Sequence, residues 1–192
     1  METKRLVRLA SSSQTRAKLL QNAGIDFIQS PVEFDEEALL QKYSDPKEFV
    51  CAVARGKLEA AVKRYGLDLP IVVADTVVSA DGKILRKAKS KEEAKEILLA
   101  QSGNKVDIIT CMIYADNEQT IEDLDITSYI FAPFDLDDLQ RYLESGEWRG
   151  KAGACMVEGF CKKYIKDVRG RESTAMGLQV ERLKEIIDAK AL

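Results

Sequence analysis

The chain has 192 residues, of which 45% are apolar and 32% charged, enough for one self-sustaining domain or two small lobes sharing a core. A net charge of −3 argues against wholesale nucleic-acid binding, and no apolar run reaches the length of a membrane span. Histidine is absent, which removes Ser-His-Asp and Cys-His nucleophile systems and HExxH zinc sites. Acid–base chemistry must then use carboxylates, Lys, Tyr or water, and a catalytic metal would be a hard, oxygen-held cation. Met1-Glu2-Thr3-Lys4 leads straight into strand-like sequence with no signal peptide, so a cytoplasmic location is expected. Cys51, Cys111, Cys155 and Cys161 lack CxxC spacing and read as buried free thiols rather than a zinc site or disulfide framework.

In chain order, Leu6–Ala10 reads as a strand and Gln14–Ala23 as a helix closed by Gly24. Between them lies Ser11-Ser12-Ser13-Gln14-Thr15-Arg16, which puts Arg16 in a first helical turn, where the dipole repels cations. Three hydroxyls and several backbone N–H groups around one point are the means by which helix N-termini hold phosphate, and a bound anion would explain Arg16. The competing reading makes Ser13 an N-cap and Arg16 a solvated side chain. Ile25–Gln29 is a second strand, and Glu36-Glu37 opens a helix with a carboxylate pair that suits the dipole.

Asp45-Pro46 starts a long helix to Tyr65, stopped by Gly66. Lys57 falls on its inward face, four residues from both Val53 and Ala61, either snorkelling to solvent or reaching a polyanion. Pro70–Ser79 is a β-branched run interrupted by Asp75 and Thr76. A carboxylate in such a strand is costly unless paired, hydrogen-bonded or metal-bound, unless the strand simply ends at Ala74. Val77 and Val78 continue the pattern and speak against an early end. Asp81-Gly82 is a hairpin turn returning through Lys83–Leu85, with Lys87 beyond it as a further candidate cation.

Ser90–Gln101 is a capped helix, and strands follow at Val106–Ala115 and Thr120–Ala132, joined at Asp116-Asn117. Asp135–Glu144 is helical, ending at Ser145-Gly146. The Gly- and Ala-rich stretch Ser145–Gly159 carries Lys151 and Glu158, then come a strand near Lys163–Val168 and a helix from Met176 to Lys190. Alternating strands and helices with a central hairpin predict an α/β fold with a mixed sheet. Neither GxxxxGK[ST] nor GxGxxG occurs, so the usual nucleotide loops are absent. The cations, the helix start and the carboxylates together fit polyphosphate binding, with Asp/Glu holding a divalent ion.

The ordered set resembles the Maf family of nucleoside triphosphate pyrophosphatases. The opening L-A-S-x-S-P-R-R is matched by Leu9 to Arg16, the ADT strand end by Ala74-Asp75-Thr76, and the GKP lysine by Lys87. Ser102-Gly103…Thr110, Ser145-Gly146-Glu147…Lys151-Ala152-Gly153 and Gly170…Gly177-Leu178 match three later blocks. The resemblance implies one domain over 1–192, with a mixed sheet flanked by helices and two lobes with a cleft. It implies hydrolysis of a nucleoside triphosphate to the monophosphate and pyrophosphate with magnesium or manganese, and it leaves a homodimer open. Asp75 would be the proton acceptor and a metal ligand with Glu36. Ser11, Ser13, Arg16, Lys57 and Lys87 would bind phosphate, and Thr15, Thr76 and Glu158 would select the base.

Some positions depart from the family pattern. Gln14 and Thr15 replace Pro and the first Arg, Ala88 replaces the Pro of GKP, Gln179 that of GLP, and Val106 a histidine. Val106 is shared with the branch resembling 7-methyl-GTP pyrophosphatases, and Glu158 stands where the pyrimidine-preferring branch has glutamine. A carboxylate only accepts hydrogen bonds, which suits the adjacent N–H donors of guanine and gains from a positively charged methylated ring. The alternative is a non-catalytic Maf-like regulator of septum formation acting through a protein partner.

Overall fold

The computed structural model describes residues 6–155, 157 and 159–190. Its elements run β1 (Val7–Leu9), α1 (Gln14–Asn22), β2 (Phe27–Gln29), α2 (Glu37–Lys42), α3 (Pro46–Tyr65), β3 (Ile71–Ala80) and β4 (Lys83–Leu85). There follow α4 (Lys91–Gln101), β5 (Lys105–Ala115), β6 (Thr120–Phe131), α5 (Leu136–Ser145), β7 (Ile165–Arg169), α6 (Glu172–Ala175) and α7 (Val180–Ala189). The strands form one mixed sheet flanked by helices, in the order β2-β1-β3-β5-β6-β7, with β4 paired to β3. Strand β1 lies parallel to both β2 and β3, while β4 and β7 pair antiparallel to β3 and β6.

The chain divides into two compact units. The first takes in the described parts of Met1–Thr76, Ile109–Asp125 and Arg171–Leu192, and the second Val77–Ile108 and Ile126–Gly170. In the first, Val7 and Leu9 of β1, Leu20 of α1, Val72 of β3 and Met112 of β5 pack with Leu183, Ile186 and Ile187 of α7. The second is centred on aromatics: Phe134 contacts Phe131, Phe160 and Tyr164, and Tyr142 stacks on Phe160 at 4.6 Å between centroids.

Local chemistry sets the element ends. The Asp45 carboxylate caps α3 by accepting from the backbone N–H groups of Lys47 and Glu48, Pro46 fits the first turn, and Lys63 and Arg64 suit the last. The helix predicted from Met176 to Lys190 is present but starts later, and a short helix not expected from the sequence precedes it. The short α6 stops at Ala175, and α7 begins only at Val180, because Gly177 adopts φ +103 between them. Residues Phe160–Tyr164 form a 3-10 turn, so the strand expected near Lys163 starts at Ile165.

The cysteine expectation needs correction at one pair. Cys51 and Cys111 are free and buried, but Cys155 and Cys161 form a disulfide. Their Cα atoms lie 6.4 Å apart, within bridging range.

Candidate active site

Parallel pairing brings the first candidates together. Leu9 of β1 lies opposite Val72 of β3, and the Ala10 N–H donates to the Val72 carbonyl. The chain then leaves β1 into the serine loop, whereas β3 continues past Asp75 and Thr76 to Ala80. The loop at the carboxyl end of one strand therefore meets polar residues of its neighbour, the usual location of sites on such sheets. The burial pattern of β3 runs unbroken through Asp75, which is 7% exposed, so the strand does not end at Ala74.

The serine loop is internally braced. Ser11 Oγ accepts from the Ser13 N–H at 3.2 Å, Ser13 Oγ caps α1 by accepting from the Arg16 N–H, and Gln29 Nε2 donates to the Ser11 carbonyl at 2.8 Å. Ser13 is thus the N-cap, but Arg16 is not solvated. Its Nε donates to the Gly177 carbonyl at 2.7 Å, Nη1 to Ser11 Oγ at 3.2 Å and Nη2 to Thr76 Oγ1 at 3.1 Å. Burial lowers the Arg16 pKa, and the nearby Asp75 charge opposes that shift. Arg16 can tolerate the first turn because three neutral oxygens and a nearby carboxylate receive it.

The Thr76 contact continues inward. Thr110 Oγ1 donates to the Thr174 carbonyl at 2.8 Å, so its single proton is used. Thr76 must then donate in the 2.9 Å contact with Thr110, leaving its lone pairs to accept from Arg16. The directed chain Arg16, Thr76, Thr110, Thr174 carbonyl fixes the guanidinium from behind. Gln179, fully buried, donates from Nε2 to the carbonyls of Thr110 and Asp123, and so ties the start of α7 to β5 and β6. Its role accounts for an amide at a position where the family pattern has proline. Gly177 completes the seat, since a Cβ there would lie 3.3 Å from both Arg16 Nε and Thr76 Oγ1.

Lys57 of α3 donates to Asp75 Oδ1 at 2.5 Å, with side chains 21% and 10% exposed. Snorkelling is therefore not its role. Gly56, immediately before it, has no side chain because the Phe34 ring occupies that space. Among the described residues no further hydrogen bond to Asp75 is seen, so Oδ2 keeps acceptor capacity. Glu36 precedes α2 without capping it through its side chain, and Thr15 is exposed on the first turn of α1. The three-donor grouping among the described residues, Cys51, Cys111 and Glu122, contains neither Glu36 nor Asp75.

In the second unit, Lys87 is exposed and its backbone forms an antiparallel bridge with Ala152, while the Gly153 N–H donates to the Arg86 carbonyl. Two blocks far apart in sequence, Arg86-Lys87-Ala88 and Lys151-Ala152-Gly153, are thereby joined. Glu158 lies outside the described residues. Thr110, Thr174 and Gln179 join the site only through the fold. The signal for Thr110 was the one that flagged Asp75, a polar side chain in a strand buried almost throughout. Nothing comparable marks Thr174, which sits in a four-residue helix.

Known proteins match this chain along nearly its whole length. The family described as Maf-like protein matches residues 6–190. A nucleoside triphosphate pyrophosphatase of Nitratiruptor sp. is 75% identical over 94% of this chain and 98% of its own. Proteins of the same name from Helicobacter pylori (strain J99) and Campylobacter jejuni are 42% and 37% identical, covering 91% and 92% of this chain and 91% and 97% of theirs. On the family match and these identities, the chain belongs to the Maf-like protein family.

Proposed function

We propose that this protein is a nucleoside triphosphate pyrophosphatase that hydrolyses its substrate to the monophosphate and pyrophosphate. The observation that carries the reading is Asp75: a carboxylate inside a buried strand, held on one oxygen by Lys57, with no further hydrogen bond to it among the described residues. A group so placed can accept the proton of a water attacking the α-phosphorus. Lys57 orients that carboxylate, and Arg16, already fixed by Gly177, Ser11 and Thr76, adds positive charge for the phosphates. Ser11 and Ser13 supply further donors in this proposal, as does Lys87, which the family pattern assigns to phosphate binding.

A divalent ion, magnesium or manganese, belongs to the same proposal. The hard oxygen of Asp75 suits such an ion, with Glu36 as a second donor, and the ion would supply charge neutralisation at the phosphate oxygens. The finer proposal for the base is a guanine-type nucleotide such as 7-methyl-GTP. It rests on Glu158, whose carboxylate would accept from the N1–H and N2–H₂ edge. Thr15 and Thr76 are the other residues proposed to act at the base.

Product analysis on purified protein with magnesium or manganese and a panel of triphosphates tests both levels. Pyrophosphate plus monophosphate is expected, with 7-methyl-GTP preferred. Turnover of dTTP and UTP alone would reject the base assignment. No turnover by folded protein would reject the enzyme reading and favour the partner-binding regulator.

A further inference from the structure

A second cluster of reactive groups lies away from Asp75. Cys51 on α3, Cys111 on β5 and Glu122 on β6 place their two sulfurs and a carboxylate oxygen within 4.8 Å of one another. The two thiols contact each other, and the Cys51 thiol also contacts the Glu122 carboxylate. Both cysteines are buried, Cys111 completely, whereas the Glu122 side chain remains 30% exposed. The donors are thus sheltered on the thiol side and open to water on the carboxylate side.

We propose that Cys51, Cys111 and Glu122 form a binding site for a thiophilic divalent cation of the zinc type. A tetrahedral zinc, with metal–sulfur bonds of about 2.3 Å and metal–oxygen bonds of about 2.1 Å, sets ligand atoms about 3.6–3.8 Å apart. The cluster needs only a small contraction to reach that spacing. Water can take the fourth position from the open side. Charge also balances. Two thiolates and one carboxylate around a divalent ion leave one negative charge, and Arg55, one turn beyond Cys51 on α3, grips Glu122 with bonds of 2.7 and 2.6 Å. Each carboxylate oxygen accepts from Arg55 and retains a lone pair for a metal, so the guanidinium can act as an outer partner that orients the ligand.

A cysteine thiol ordinarily loses its proton only above neutral pH, and it ligates a metal as the thiolate. Metal entry then releases both thiol protons, and affinity rises with pH. Spacing in the sequence hides the site, because its donors come from a helix and two strands rather than from a CxxC loop.

The test is titration of full-length, reduced protein carrying Cys155→Ser and Cys161→Ser, with oxidised wild type alongside to confirm that the result does not depend on the removed pair. The probe is Cd²⁺ alone, read by its thiolate-to-metal ultraviolet charge-transfer band, followed by displacement with Zn²⁺. One equivalent should bind with proton release, and Cys51→Ala or Cys111→Ala should abolish the band. Glu122→Gln, at a partly exposed position, keeps the core intact and should weaken binding by about tenfold or more. No band from folded protein with free Cys51 and Cys111 thiols would overturn the site. So would a band that survives Cys111→Ala, or unchanged affinity in Glu122→Gln.

Discussion

Two lysine–aspartate pairs in the first unit look alike and behave differently. Asp75 and Asp116 have nearly the same side-chain exposure, 10% and 11%, and each meets a partly buried lysine, Lys57 or Lys190. Asp116 is saturated: besides Lys190 it accepts from the Tyr114 hydroxyl and from the backbone N–H groups of Glu118 and Gln119. Asp75, among the described residues, accepts from Lys57 alone. A carboxylate whose lone pairs are all used is fastened in place and does structural work. One with capacity left over, in a strand that hides it from bulk water, is available for chemistry.

The largest effect separating the pairs is expected in turnover. Asp75→Asn should lower pyrophosphate release about 10²- to 10⁴-fold, the usual contribution of a general base, in steady-state assays. Asp116→Asn should leave turnover unchanged. Loss of activity in both, or in neither, would erase the distinction. Next in size is Gly177→Ala, where a side chain at φ +103 would press on Arg16 and Thr76. Displacing one charge-assisted bond costs about 1.5–3 kcal/mol, so KM for the triphosphate should rise roughly tenfold or more. Thr110→Val removes the donor to the Thr174 carbonyl and the acceptor of Thr76. It should cost about 1–3 kcal/mol and lower Tm by roughly 2–4 °C per kcal/mol, measured by thermal denaturation.

What sequence reveals of this site follows a physical division. Periodicity and capping signals expose α3, α5 and the β3–β4 hairpin, since Asp45, Asp135 and Asp81-Gly82 act on neighbours a few residues away. Asp75 is conspicuous in the sequence because a charge in an apolar strand demands a reason. The late start of α7 has a tertiary cause that periodicity does not carry: the chain turns at Gly177, whose carbonyl meets Arg16, 161 residues earlier. The Thr110 relay and the Gln179 anchor are likewise pairings across strands, where local propensity carries no signal. The Cys155–Cys161 bridge and the Cys51–Cys111 contact likewise depend on which partner the fold brings to each thiol. In each case the missing information was the partner and not the residue.

The smallest effect concerns acid stability, and it isolates the saturated pair. Burial tends to raise the Asp116 pKa, but Lys190, the two backbone N–H groups and the Tyr114 hydroxyl outweigh it and hold the carboxyl down to about 2. The unfolded chain titrates the same group near about 3.9. A depressed folded pKa stabilises the protein fully above the unfolded value, and that stabilisation is lost as pH falls through about 4 towards about 2. Asp116→Asn should therefore cost roughly 1 kcal/mol near neutrality, after allowance for solvent screening, and flatten the urea midpoint against pH over that window. Salt separates the contributors. Near 1 M the Lys190 attraction is screened, whereas the Tyr114 hydroxyl and the two backbone N–H groups still bind the ionised form. A stability slope that survives high salt would show that neutral donors fasten Asp116, and one that disappears would assign the effect to Lys190 alone.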